Sequence, residues 1–127
     1  MSSRLQRSRN RAFVKQHGRC FYCDLPMWAA PPKNLMRLKC TAEHLVARCD
    51  GGRDGSGNVV AACLHCNRTR HLKRYPPPAH EYRVEVQRRM ARGRWHCAST
   101  RALALRCLES EQSVEVSHRG PEPNMLT

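Results

Sequence analysis

The sequence is poor in acids, in aromatics and in long apolar runs. Its 127 residues hold only 10 Asp and Glu against 23 Lys and Arg, a formal net charge of +13. A basic excess of this size makes polyphosphate the default partner, through an attraction that salt weakens. The plainer uses of such a surface are solubility or docking on an acidic protein. With two Trp, three Tyr, two Phe and a mean hydropathy of -0.70, the core is thin, and small thin cores need a staple. No stretch approaches the roughly 18 apolar residues of a membrane helix, which excludes such a span. The first 11 residues carry four arginines and no apolar run, unlike a secretory signal. Disulfides are therefore disfavoured and a cytoplasmic location is expected.

Cysteine, by contrast, is plentiful, with eight copies. Cys20/Cys23 and Cys63/Cys66 form two CxxC pairs that enclose 39 residues. Four thiolates in two such pairs are the donor set of a tetrahedral structural zinc site, which would pin the two ends of that segment together. A redox role for the pairs lacks the βαβ context that makes one convincing. Cys40, Cys49, Cys97 and Cys107 have no CxxC partner and read as small buried hydrophobes. His65 sits inside the second pair, but four cysteines already complete the shell.

Charge and punctuation divide the chain. Residues 1–106 hold 22 of the basic residues and six of the acids, whereas four Glu and one Arg follow. Residues 3–17 read as a basic helix that Ser2 or Ser3 can cap and Gly18 can end, so residues 1–19 form a basic N-terminal helical segment. Pro26 and Pro31-Pro32 make residues 25–33 a loop. Residues 35–42 suit a strand delivering Glu43-His44, and residues 50–57 (DGGRDGSG) are a loop with four glycines. Residues 58–62 suit a second strand and residues 64–74 a helix that stops before Pro76. Residues 79–92 and 98–108 predict two more helices, a helical extension over 79–110. These could widen a nucleic-acid surface or make a contact between copies. Residues 111–127, with Gly120, Pro121 and Pro123, are expected to form a flexible tail.

The polar residues fall at the joints of this order. Glu43-His44 closes the first strand, Asn58 opens the second, and Asn67 lies in the first turns of the helix. A hairpin with a helix packed across it gathers one carboxylate, one imidazole and one amide. Such groups suit a divalent cation and the activation of a water.

The stretch TAEHLVARCDGGRDGSGNVVAACLHCNRTR resembles the HNH endonuclease motif, with its histidine at His44, its middle asparagine at Asn58 and its last position at Asn67. The acid-His pair, the glycine loop, an NVVAAC strand and a CxxCN helix start occur in order, and the resemblance covers residues 20–74. It implies a small α+β protein: a ββα-metal core over residues 20–75, stapled by the four-cysteine zinc site and flanked by basic helices. It also implies metal-dependent hydrolysis of DNA phosphodiester bonds, by nicking or double-strand cleavage, to a 5′-phosphate and a 3′-hydroxyl. Cutting both strands with one site per chain would favour a homodimer.

On that resemblance His44 is the general base, for which a neutral imidazole suits physiological pH. Glu43 and Asn67 would hold one Mg²⁺ or Mn²⁺ against the scissile phosphate, and Asn58 would hold the loop and so orient His44. Arg68 and Arg70, with Lys73 and Arg74, are the nearest phosphate clamps. Glu43 stands where the family more often has Asp, and Asn67 where many members have His. His71, one turn beyond Asn67 on the same face, is an additional or alternative ligand, or else a contact to phosphate or solvent. The competing reading is a zinc-ribbon module that binds nucleic acid without chemistry. In it Glu43, His44 and Asn67 are incidental.

Overall fold

The computed structural model describes residues 3–118. Its first helix, α1 (Arg4–Lys15), starts on a reciprocal cap: Gln6 N donates to Ser3 Oγ at 3.1 Å and Ser3 N to Gln6 Oε1 at 2.8 Å. It ends as Gly18, at φ +72°, donates its N–H to Phe13 O, a conformation glycine enters without strain. The chain then makes the first cysteine knuckle, in which Cys20 N donates to Leu25 O and Asp24 N to Cys20 O.

Two antiparallel strands follow, β1 (Cys40–His44) and β2 (Val59–Cys63), with Cys40 opposite Cys63 and His44 opposite Val59. Helix α2 (Leu64–Arg70) leaves β2 directly, with Cys63 Sγ as its N-cap accepting from Cys66 N. Helices α3 (Ala79–Ala91) and α4 (Ala98–His118) complete the order. Helix α1 packs on the hairpin, and Gln16 borders β2, donating to Ala61 O at 2.8 Å and accepting from Ala61 N at 3.0 Å. The core gathers Tyr22, Leu35, Leu38, Ala61, Ala62, Val86 and Ala104, all fully buried, around the four paired cysteines. Tyr22 meets Tyr82 edge-on at 4.7 Å, and Tyr82 donates its hydroxyl to Cys66 O, which ties α3 to the second knuckle.

Four expectations need correction. Residues 35–42 are not one strand: Lys33–Leu38 is 3-10 helical, and β1 starts only at Cys40. The segment is two short turns meeting at a kink at Leu35, and Leu35 and Leu38 are both fully buried. Burying each contributes about 1.5–3 kcal/mol. The helix after the second knuckle stops at Arg70, where His71 caps it, short of residue 74. Cys49 and Cys97 are exposed rather than buried, because each lies outside the core, in the loop between the strands and just before α4. Finally, α4 continues to His118, past the expected start of the tail. Glu111 on it accepts from Trp28 Nε1 at 2.7 Å, an anchor 83 residues away in sequence. The rest of the expected 111–127 tail, residues 119–127, lies outside the described residues.

Candidate active site

The two knuckles bring Cys20, Cys23, Cys63 and Cys66 together, all buried, with their sulfurs within 4.8 Å of one another. Tetrahedral zinc with bonds of about 2.3 Å places its sulfurs about 3.8 Å apart, so this set closes on the ion with little movement. Four N–H groups also point at these sulfurs. Tyr22 N and Cys63 N donate to Cys20, Cys66 N to Cys63, and Trp95 Nε1 to Cys66, at 3.2–3.4 Å. Such donors stabilise thiolates and orient them as metal ligands. All eight cysteines are free of disulfides. His65 is no ligand; its ring lies 5.1 Å from that of Trp95 and 5.2 Å from that of His96.

The hairpin carries the polar site at its loop end, where His44 faces Val59. Glu43 is 1% exposed. Its Oε1 lies 2.9 Å from His71 Nε2 and 3.4 Å from Arg70 NH1, and its Oε2 accepts from the Tyr22 hydroxyl at 3.2 Å. Desolvation and the Glu43 charge push the Tyr22 hydroxyl far above its ordinary range, which keeps it a donor. Asn67 stands one turn before His71 on α2 and donates Nδ2 to Thr41 Oγ1 at 3.0 Å and to Ala42 O at 3.1 Å. Its amide oxygen makes no hydrogen bond among the described residues. Glu43 therefore meets His71 directly, while Asn67 meets the neighbouring backbone of β1.

Arg70 corrects another expectation. It is 6% exposed, and its guanidinium donates to Pro77 O, His44 O and Leu45 O besides pairing with Glu43. With all three nitrogens engaged internally it is a tie between α2 and the hairpin end, and no phosphate clamp. Arg68, Lys73 and Arg74 are exposed.

His44, at the last position of β1, places Nε2 2.9 Å from Asp54 Oδ1. Arg48 grips the same carboxylate, Nε to Oδ1 at 3.0 Å and NH2 to Oδ2 at 2.8 Å. Its contacts with His44 and Arg48 hold the Asp54 carboxyl below its usual range. Asn58 binds the loop internally: Val46 N donates to its Oδ1 at 2.8 Å, and its Nδ2 donates to Val46 O and Arg53 O at 2.9 Å. Gly52 is required here, because a Cβ on it would lie 1.7 Å from Val46 O. From inside α1, Ser8 Oγ donates to Asp54 O at 2.6 Å.

Sequence reasoning missed Asp54, Arg48, Ser8, Tyr22 and the internal role of Arg70. An aspartate inside a glycine loop ordinarily marks a turn, and a serine among arginines ordinarily marks a solvated helix face. The one available signal was that Asp54 is the single acid between Gly52 and Gly57.

Residues 20–73 match the family model described as HNH endonuclease. No curated protein and no solved structure matches the chain. No helix among the described residues is long and apolar enough to cross a membrane.

Proposed function

Residues 20–73 form an HNH endonuclease domain, and from that premise we propose that the protein is a metal-dependent endonuclease hydrolysing DNA phosphodiester bonds. The observation that carries this reading is the pairing of His71 with Glu43, the residue that precedes His44 on β1. A carboxylate and an imidazole 2.9 Å apart, with the amide of Asn67 one turn away, form a mixed oxygen and nitrogen donor set. Mg²⁺ or Mn²⁺ held there supplies positive charge against the phosphate and the leaving 3′-oxygen. In this reading His71 joins Glu43 and Asn67 as a ligand.

His44 takes a proton from the attacking water. Asn58, through its three hydrogen bonds to the loop, holds the segment facing that base. Arg68, Lys73 and Arg74, exposed at and beyond the end of α2, meet the DNA backbone. The zinc site does no chemistry: it fixes the first knuckle to the start of α2, so that β1 delivers Glu43 and His44 against it.

One observation favours the non-catalytic zinc-ribbon reading. Both oxygens of Glu43 already have partners, as a purely structural buried carboxylate would. Incubation of the zinc-loaded protein with supercoiled plasmid and Mg²⁺ or Mn²⁺ separates the two. Metal-dependent nicking that falls about 10²- to 10⁴-fold in His44→Ala is expected for a general base. DNA binding with no nicking by the wild type, or equal nicking by both proteins, would establish the binding module instead.

A further inference from the structure

We propose that Asp54 is the positioning residue for His44: its carboxylate accepts the Nε2–H and fixes the ring tautomer in which Nδ1 carries the lone pair. The role of that lone pair rests on the nuclease reading above, whereas the tautomer itself does not.

The proton's place follows from the partners of the carboxylate. Arg48 binds both oxygens of Asp54 in a fork at 3.0 and 2.8 Å, an arrangement that favours the ionised carboxylate. An ionised carboxylate has no proton to give. The 2.9 Å contact to His44 therefore needs the hydrogen on Nε2. A neutral imidazole has one ring proton, so Nδ1 is left as the acceptor.

The position of Asp54 is built rather than incidental. Ser8, fully buried in α1, donates to the Asp54 carbonyl at 2.6 Å, and Asn58 accommodates the preceding carbonyl, of Arg53, at 2.9 Å. Two consecutive carbonyls of the glycine loop are thus held, one from α1 and one from the residue before β2. A pair serving only to anchor Arg48 at the surface would contribute little and would need no such support. When Nδ1 takes the proton from water, Asp54 faces the resulting imidazolium and stabilises it without itself becoming protonated.

The test reads the ring directly. Long-range ¹H–¹⁵N correlation spectra of the full-length, zinc-loaded protein distinguish a protonated Nε2 from a protonated Nδ1 at His44. The wild type is expected to show Nε2 protonated and Nδ1 free, and Asp54→Ala to show a mixture of both tautomers. With plasmid substrate, Asp54→Ala is expected to lower kcat at least about tenfold, a part of what a general base contributes, at unchanged KM. A wild-type His44 protonated on Nδ1 overturns the proposal without recourse to any variant. So does an Asp54→Ala protein of unaltered tautomer and kcat. If the wild type nicks nothing while Asp54→Ala still shifts the tautomer, the nuclease reading fails and the positioning by Asp54 stands.

Discussion

Arg70 and Glu43 form an ion pair in the interior, NH1 to Oε1 at 3.4 Å, with the two side chains 6% and 2% exposed. This pair joins α2 to the hairpin at the place where His44 and Glu43 emerge, and the same guanidinium holds the carbonyls of His44 and Leu45. A charge buried to this degree persists only while its partner and hydrogen bonds persist.

Arg70→Met keeps the apolar stem of the side chain but leaves Glu43 without its permanent cation. The expected loss is about 3–5 kcal/mol, the usual result of stranding one member of a buried pair. Denaturant unfolding measures it. A midpoint within error of the wild type would show that Tyr22 and His71 suffice for Glu43. The double variant Arg70→Met with Glu43→Gln should recover part of the loss, since the uncompensated charge is gone.

The staple is the next point of failure. Cys23→Ser or Cys66→Ser should abolish stoichiometric zinc and remove the cooperative thermal transition of residues 20–73, because metal binding at a structural site is folding free energy. Chelation of the wild type should do the same. Zinc analysis beside calorimetry checks this. Retained one-to-one zinc with an unchanged transition would refute a four-cysteine site.

The reach of sequence reasoning is set by whether a signal is local. The two CxxC pairs, the capped start of α1 and the strand with its helix start from Val59 to Arg70 were legible, because spacing and punctuation define them over a few residues. Residues 35–42 misled because they alternate only loosely and carry no Gly or Pro; Leu35 and Leu38, three apart and both fully buried, would lie on opposite faces of a strand. The fate of Arg70 was illegible: nothing in CNRTRH separates Arg68, which is exposed, from Arg70, which is walled in by Pro77 and the end of β1. The link from Ser8 to Asp54 spans 46 residues and has no local trace. Of the candidate site, the residue types and their order were readable. Which carboxylate faces which histidine was not.

Loop support is testable apart from the zinc site. Asn58→Ala removes three hydrogen bonds that close the loop on Val46 and Arg53. Its cost in overall stability should be about 1–3 kcal/mol, with zinc stoichiometry intact and nicking reduced more than DNA binding. Gly52→Ala should be worse for activity, since its Cβ collides with the backbone at Val46, which cannot swing aside as a side chain would. Plasmid nicking and filter binding on both variants supply the comparison. An active Gly52→Ala protein would show that the loop has another conformation.

His96 should make the protein sensitive to mild acid. It is 1% exposed, neither ring nitrogen has a hydrogen-bond partner among the described residues, and burial, with His65 and Arg37 nearby, pushes its pKa down to about 4. An unfolded histidine titrates near 6.5. Above that pH both states hold a neutral ring and the stability is complete. As the pH falls from about 6.5 to about 4 the unfolded chain takes up a proton that the folded chain refuses, so stability declines by up to about 1.4 kcal/mol per pH unit from this group alone. Below about 4 both states are protonated and the loss is complete. His96→Phe removes the titration while keeping an aromatic ring beside His65. The zinc thiolates add their own acid loss to both proteins, so the quantity to compare is the difference between the two stability curves from pH 7 to pH 4. That difference should move in favour of His96→Phe as the pH falls. Parallel curves would mean that the buried ring does not titrate as its surroundings require.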